Sequence, residues 1–338
     1  MIAITGGGTG GHLVIARAIK EELNKRGIKP IYIGSTSGQD QLWFDGDEGF
    51  EKTYFLQSQG VVNKKGFKKV LSLFAIIQSA FTCKAIFKEH KVTQVFSVGG
   101  YSAAPASIGA IIANIPLYIH EQNAIKGKLN TLLKPFSKAF FSSYEKDSPL
   151  QNYPVSEVFF NIQRPRDTFK TIIFLGGSQG ASAINALALE MSLGLREQGI
   201  AIIHQTGKKE YEMVKKFYKE HDIEADVFDF TTDIAPKLQK ADFAISRSGA
   251  STLWELCAAC VPSLFIPYPH AAANHQFFNA QALAQNGLAL IENQNTLDTK
   301  NILEKIQCVN ITDISNQLLH AIHHGGAKEI VDYILTKD

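Results

Sequence analysis

Short apolar runs alternate along the chain with longer stretches whose apolar positions recur every three or four residues. "IAI" at 2–4 enters a glycine-rich turn, and a helical pattern runs from about Leu13 to Arg26, stopped by Gly27. "PIYI" (30–33) reads as a second strand; "VTQVFSVGG" (92–100), "PLYIH" (116–120) and "KAFFSS" (138–143) read as later ones. After about Gln163 the scheme restarts: "TIIFLGGSQGA" (171–181) is again strand, glycine turn and helix. "IAIIHQTG", "ADVFDF", "ADFAISRSG", "PSLFIPYP" and "LALIEN" follow, mostly with helical segments after them. Strand–helix alternation of this kind predicts an α/β protein with parallel sheets and right-handed crossovers. Two glycine-rich first turns predict two Rossmann-like, doubly wound domains, with a boundary near Asn152–Pro165. In such sheets ligands bind beyond the carboxyl ends of the strands, so two of them facing each other share a cleft.

Composition narrows the class. At 338 residues and 45% hydrophobic, the chain has enough material for two cores. Four cysteines are too few for a disulfide framework and fit a reducing cytoplasm. Cys257 and Cys260 form a CxxC inside what reads as one apolar helix, so packing is expected, not metal or redox chemistry. Glycines interrupt the apolar start too early for a signal peptide. No charge occurs from Val92 to Ile119, but Gly99, Gly100, Pro105, Asn114 and Pro116 divide that stretch into strand, loop, helix and strand.

Charge is uneven. Up to Val155 there are 18 Lys and Arg against 11 Asp and Glu; the remainder has 16 against 21. The segment Lys64–Lys91 holds seven lysines and one glutamate, with fourteen uncharged residues between Lys69 and Lys84. That pattern suits an interfacial helix with a basic rim, and equally a helix packed on its own domain with solvated lysines. Nucleic acid fits poorly, because no aromatic stacking pattern accompanies the lysines.

The chemistry concentrates in loops that follow apolar strands. Gly6, Gly8 and Gly11 satisfy G-x-G-x-x-G, but the second strand ends in Gly34 and Ser35, without the acidic residue a nicotinamide dinucleotide site requires. The turn still offers backbone N–H groups and a helix amino end to an anion. His12 sits where the helix dipole disfavours an imidazolium, either as a base or as a residue that only caps the loop. "LGGSQGASAIN" repeats the design without the Gly-Lys-Ser/Thr of a triphosphate loop. In "SRSGASTLWEL" the hydroxyls of Ser248, Ser251 and Thr252 precede Glu255, read as lying in the first helical turn. The stretch suits a diphosphate and a ribose, or else Ser251 and Glu255 form a capping pair. Asn274, His275 and Gln276 mark another helix start. Gly99-Gly100-Tyr101 and His120-Glu121-Gln122-Asn123 load two further loops with polar groups. No H-E-x-x-H motif occurs.

Taken together, "GGTGGH", "VGGYSAAPA", "HEQNA", "GGSQGA", "SRSGASTLWE" and "HQFFNA" resemble, in order and spacing, the MurG family. These are UDP-N-acetylglucosamine:lipid I N-acetylglucosaminyltransferases of bacterial peptidoglycan synthesis. The resemblance covers nearly the whole chain and implies the GT-B fold. It implies an acceptor-binding, membrane-associating domain over 1–158, a UDP-GlcNAc-binding domain over 159–321, and a final helix at about 322–338 returning to the first. Glu255 is then expected at the ribose, Ser251 and Thr252 at the diphosphate, and Ser178 and Gln276 around the nucleotide-sugar. Thr9, Gly10, Gly11 and Asn123 are expected near the transferred sugar and acceptor, with Gly99, Gly100, Tyr101 and Glu121 in the acceptor loop. The linker reads Asn161-Ile162-Gln163-Arg164 where the family has N-P-V-R; Arg164 still matches as a substrate contact. Thr231 stands where the family has a larger apolar residue, and no role follows for it.

The implied reaction is inverting transfer by a single displacement, with His12 as the base and no cofactor or metal. The implied partners are UDP-GlcNAc, lipid I and the anionic cytoplasmic face of the plasma (inner) membrane, met peripherally through Lys64–Lys91. A place in a cell-wall synthesis complex goes with them; nucleic acid does not. The alternatives are another GT-B UDP-sugar transferase, a UDP-GlcNAc 2-epimerase, or a non-catalytic membrane-docking relative.

Overall fold

The structure is a computed structural model that describes residues 1–57, 67–177, 180–231 and 233–336; the side chains of 67–71 and 73 also lie outside the description. Two compact units emerge: Met1–Pro154 with Gly325–Asp338, and Val155–His324.

The first unit runs β1 (Ile2–Thr5), α1 (Gly10–Asn24), β2 (Ile31–Ser35), α2 (Asp40–Phe44), β3 (Lys52–Leu56) and α3 (Phe67–Glu89). It continues with β4 (Gln94–Ser97), α4 (Ala104–Ile112), β5 (Leu117–Glu121), α5 (Lys128–Leu133) and β6 (Ala139–Ser142). The six strands pair in the order β3-β2-β1-β4-β5-β6, all parallel. That is the doubly wound order in which the winding direction reverses between β1 and β4. Strands buried on both faces read as continuous apolar runs, which is why "IAI" and "PLYIH" were legible. Helix α1 starts at Gly10, three residues before the expected Leu13. Thr9 is extended (φ −134°), and its carbonyl accepts the Leu13 amide at 3.3 Å, closing the first turn.

Helix α3 buries Ile76, Ala80, Cys83, Ile86 and Phe87. It approaches α4 closely at Gly109, where a Cβ would stand 2.8 Å from the Ala80 carbonyl oxygen. Its opposite side leaves Phe74, Ile77 and Phe81 exposed by 68, 48 and 57%. No helix among the described residues is long and apolar enough to cross a membrane.

The second unit runs α6 (Glu157–Asn161), β7 (Thr171–Leu175), α7 (Ser182–Glu197), β8 (Ala201–Gln205), α8 (Tyr211–Glu220), β9 (Ala225–Phe228) and α9 (Ala235–Lys240). Then come β10 (Phe243–Ser246), α10 (Ala250–Ala258), β11 (Ser263–Phe265), α11 (His275–Ala284), β12 (Leu290–Ile291), α12 (Thr299–Cys308) and α13 (Ile311–Ala321). Its sheet, β12-β11-β10-β7-β8-β9, is again all parallel and has the same winding, with reversal between β7 and β10. Ile172, Phe174, Met191, Ile202, Phe243 and Ile245 are among the residues of its core.

The CxxC expectation needs one correction. Helix α10 ends at Ala258, and Cys260 lies in the turn beyond it with φ +55°. Both thiols are free and buried, and burial raises both pKa values, so neither is a ready thiolate.

The chain then returns. Helix α14 (Gly326–Thr336) belongs to the first unit, where the Ile334 carbonyl accepts from Gln94 Nε2 at 2.9 Å and Asp332 pairs with Arg26 at 2.8 Å.

Candidate functional site

In the first unit the loops after β1 and β4 meet at the point where the winding reverses, and they lock together. Gly7 N–H donates to the Gly99 carbonyl at 3.1 Å, and a Cβ on Gly100 would collide with the Gly7 carbonyl oxygen. Gly8 has φ +84°, and a Cβ there would stand 2.5 Å from the Tyr101 ring. The glycines of the turn were expected to offer backbone N–H groups to an anion. The structure shows instead that Gly6, Gly7 and Gly8 leave room for the chain's own Gly99, Asp40 and Tyr101. Tyr101 closes the arrangement by donating its hydroxyl to the Ser37 carbonyl at 2.5 Å.

Asp40 is the residue that sequence reasoning missed. It was sought at the end of β2, whereas it arrives five residues after Ser35, at the start of α2. Its carboxylate, fully buried, accepts from Gly8 N at 2.6 Å, Ser35 N at 3.1 Å and the Tyr32 hydroxyl at 3.1 Å. Burial and this neighbouring carboxylate raise the Tyr32 pKa far out of its ordinary range, so Tyr32 remains a donor. An acid that a dinucleotide site points at a ribose is here turned inward under the turn.

His12 stands in the first turn of α1, half-buried, together with Gly10 and Gly11. Its Nδ1 lies 3.0 Å from Thr9 Oγ1, and its Nε2 lies 3.1 Å from Gln122 Nε2. His120 on β5 is buried, and burial, with a smaller contribution from His12, lowers its pKa to about 3. Glu121 is also buried. Its carboxylate accepts from Asn123 N at 3.0 Å, Gly127 N at 2.8 Å and Asn130 Nδ2 at 2.9 Å. Glu121 therefore shapes the loop 122–130, while Asn123 remains half-buried at its tip. Thr9, Gly10, Gly11, His12, Gly99, Gly100, Tyr101, Glu121 and Asn123 are thus brought together at the carboxyl ends of β1, β4 and β5.

In the second unit the loop after β10 meets the start of α11. Ser248 Oγ donates to the Gln276 carbonyl at 2.8 Å, and the Ser248 carbonyl accepts from Asn279 Nδ2 at 3.2 Å. Gln276 Oε1 accepts from Tyr268 N at 2.9 Å. Arg247 braces the base of the loop, donating to the Ile266 carbonyl at 2.9 Å and to Gln294 Oε1 at 2.6 Å, with its guanidinium over the Tyr268 ring. Gly249 is the N-cap of α10, with φ −61° and nothing within 4 Å of the place a Cβ would take. Gly249, not Ser251, holds the cap, and Ser251 is the second residue of the helix. Glu255 lies in the second turn, not the first. It is four residues after Ser251, so the two share a face of α10 with Thr252 beside them. Ser178 lies outside the described residues. Thr231 bonds within its own turn, its Oγ1 accepting from Asp233 N and donating to the Asp233 carbonyl, both at 3.1 Å.

Arg164 is placed apart from this group. It donates to the Gln239 carbonyl at 3.1 Å and pairs with Asp242 at 2.7 Å, at the amino end of β10. A four-residue strand, about 13 Å, separates that end from the Ser248 loop. Its neighbour Arg166, fully buried, gathers the carbonyls of Leu238, Ala241, Ala259 and Arg164. Three of these close the carboxyl ends of α9 and α10, where a cation is favoured by the helix dipoles. Burial lowers its pKa to about 10, which leaves it charged at neutral pH. Among the described residues no group of three or more His, Cys, Asp or Glu could hold a metal ion.

Comparison with known proteins accounts for both halves. Residues 2–142 match the glycosyltransferase family 28 N-terminal domain, and residues 171–330 match its C-terminal domain. The chain is 55% identical, over 100% of both chains, to a transferase of Campylobacter fetus subsp. fetus. That relative is described as a UDP-N-acetylglucosamine–N-acetylmuramyl-(pentapeptide) pyrophosphoryl-undecaprenol N-acetylglucosamine transferase. A relative of the same description from Sulfurovum sp. is 49% identical over 98% of both chains. Among solved structures, Acinetobacter baumannii MurG is similar at a TM-score of 0.81, with 27% identity over 99% of both chains.

The chain belongs to the MurG family of glycosyltransferases.

As a MurG-family protein it has two sheets of identical winding, with polar and glycine-rich loops at both reversal points. The glycosyltransferase SnogD of Streptomyces nogalater shares the fold at a TM-score of 0.69 with 12% identity, so the architecture extends well beyond close sequence kinship.

Proposed function

We propose that the chain transfers N-acetylglucosamine from UDP-GlcNAc to the C4 hydroxyl of N-acetylmuramic acid in lipid I (undecaprenyl-pyrophosphoryl-MurNAc-pentapeptide), with inversion, giving lipid II. The observation that carries this reading is 55% identity over the full length of a transferase so described. The second unit supplies the donor site. The open amino end of α10 at Gly249 suits a diphosphate, with the hydroxyls of Ser251 and Thr252 beside it. Glu255, one turn on and on the same face, takes the ribose hydroxyls; Ser178 and Gln276 complete the nucleotide-sugar site. Arg164 acts on this site only through the linker, by fastening it to Asp242.

The first unit supplies the acceptor site, with Thr9, Gly10, Gly11 and Asn123 toward the sugar and Gly99, Gly100, Tyr101 and Glu121 holding the loops that shape it. His12 takes the proton of the C4 hydroxyl as its oxygen attacks the anomeric carbon, and the bond to UDP breaks. Base catalysis of this kind contributes about 10²–10⁴ in rate. The leaving diphosphate is stabilised by the α10 amino end and neighbouring hydroxyls.

Phe74, Ile77 and Phe81 on α3, with exposed Lys84 and Lys88 near them, support peripheral docking on an anionic cytoplasmic membrane face. Lys64 and Lys65 lie outside the described residues. A place near other cell-wall enzymes, in growth and division, follows from that docking.

The deciding experiment supplies UDP-[¹⁴C]GlcNAc with a lipid I analogue. Labelled disaccharide-lipid and equimolar UDP are expected. UDP-GlcNAc consumption without labelled lipid, or epimerised sugar formed without acceptor, would overturn the reading.

A further inference from the structure

Both ring nitrogens of His12 are engaged, and by groups of different kinds. Thr9 Oγ1, which can donate or accept, lies 3.0 Å from Nδ1. The amide nitrogen of Gln122, which can only donate, lies 3.1 Å from Nε2. With the amide nitrogen turned toward Nε2, the neutral ring that fits carries its proton on Nδ1 and gives it to Thr9. Gln122 is well placed to impose this. It follows directly on the last residue of β5, it is only 6% exposed, and its Oε1 is buried without a hydrogen-bond partner.

We propose that Gln122 is a positioning residue for His12: its side-chain amide keeps the basic lone pair on Nε2 in the resting enzyme and accepts the Nε2–H bond once the ring is protonated. The proposal rests on the reading of His12 as the base. The acceptor hydroxyl approaches Nε2 beside the amide nitrogen, and its proton moves to that atom as the new glycosidic bond forms and the bond to UDP breaks. The amide then faces a donor. Rotation by 180° about its last side-chain bond replaces the NH₂ with Oε1, which has no hydrogen bond to lose where it now lies.

The other titratable groups nearby leave this task to Gln122. His120 is buried and neutral, with a pKa near 3, and adds no fixed charge. The Glu121 carboxylate is committed to Asn123, Gly127 and Asn130, and that of Asp40 to Gly8, Ser35 and Tyr32. The amino end of α1 opposes charge on the ring. A neutral amide stabilises the imidazolium enough to receive the proton without trapping it, whereas a carboxylate in its place would trap it.

The test is the pH dependence of kcat/KM for a lipid I analogue at saturating UDP-GlcNAc, with wild type, His12→Ala, Gln122→Glu and Gln122→Met. Gln122→Glu is expected to move the acidic limb upward by about one pH unit or more, with activity recovering in alkaline buffer. Gln122→Met is expected to lower kcat about tenfold and leave the KM for UDP-GlcNAc within about twofold, because it removes tautomer control and spares donor binding. Ring ¹⁵N shifts of histidine-labelled protein, assigned by loss of the His12 signals in His12→Ala, should show the Nδ1–H tautomer in wild type and a mixture in Gln122→Met. An acidic limb unchanged in Gln122→Glu, or a wild-type proton on Nε2, would overturn the proposal. If His12→Ala keeps the acidic limb, the base reading falls and this inference falls with it. If His12→Ala abolishes the limb while Gln122→Glu leaves it in place, only the role of Gln122 falls.

Discussion

The Asp40 carboxylate accepts the Gly8 amide hydrogen at 2.6 Å across 32 residues of sequence. The glycine turn of the first unit therefore already holds an anion, and that anion is part of the chain. A pyrophosphate at Gly8 would meet both a used amide and a like charge. The G-x-G-x-x-G match is thus explained without a dinucleotide. Asp40→Ala should leave the Gly8 and Ser35 amides without this acceptor at about 1–3 kcal/mol each, while the Tyr32 hydroxyl keeps the Gly6 carbonyl at 2.9 Å; Asp40→Asn, which keeps an acceptor, should cost clearly less. Thermal melts of the two variants check this; equal melting temperatures would show that the clamp contributes nothing.

Gly8 and Gly249 separate folding from binding. Gly8→Ala forces a Cβ against the Tyr101 ring at a positive φ and should lower the melting temperature with loss of all activity. Gly249→Ala has a compatible φ and open space, so it should fold with a loss of about 1 kcal/mol at most. It should nonetheless weaken UDP binding about tenfold or more, since on the donor site proposed above the methyl group stands where the diphosphate approaches. Titration calorimetry with UDP decides the point: wild-type affinity in Gly249→Ala would place the diphosphate elsewhere.

Arg166 holds the second unit together from inside. Arg166→Met would remove a donor from four buried carbonyls, of which those of Ala241 and Leu238 keep Arg164 Nη2 and the Ala241 amide, and should cost about 3 kcal/mol. Urea unfolding should show the second unit melting first in this variant. A midpoint like that of wild type would mean the carbonyls find other partners.

Acid should loosen both units. His120 and His204 are buried with pKa lowered to about 3 from the ordinary 6.5, one in each unit. Between those values the unfolded chain binds more protons than the folded one, so stability is full above pH 6.5 and declines as pH falls toward 3. The slope approaches about 1.4 kcal/mol per pH unit for each histidine. Urea midpoints measured from pH 7 to pH 4 should fall accordingly, and constant midpoints would remove these histidines from the account.

Phe74→Ser, Ile77→Ser and Phe81→Ser together should leave the helix content unchanged, since these side chains are exposed. Partitioning onto vesicles rich in anionic lipid should drop about tenfold or more, each lost apolar contact contributing about 1 kcal/mol or more. Sedimentation with the vesicles reads this directly; undiminished binding would move the docking surface away from α3.

The strands were legible because parallel strands buried on both faces must be apolar throughout, as Ala3, Ile4, Tyr118 and Ile119 are. The site loops were legible because polar residues directly after such strands stand out. What escaped was whatever depends on contacts distant in sequence. Nothing in "STSGQDQ" says that Asp40 turns under Gly8, and nothing in "RPRD" says that Arg166 reaches the ends of two helices. The inward use of the glycines has the same origin, because a Cβ clash with Tyr101 is visible only once the fold exists. Glu255 moved by a turn because the helix opens at Ala250, capped by a glycine instead of the serine that pattern favours.

The return of α14 carries a consequence for how the molecule is made. Gln94 waits for Ile334, Arg26 for Asp332, and Gly326 packs against the Tyr153 carbonyl. During synthesis all of residues 155–324 therefore emerge before the first sheet receives its last helix. The later-made unit has its whole core in hand while the earlier one is still incomplete, so the order of completion runs opposite to the order of the chain.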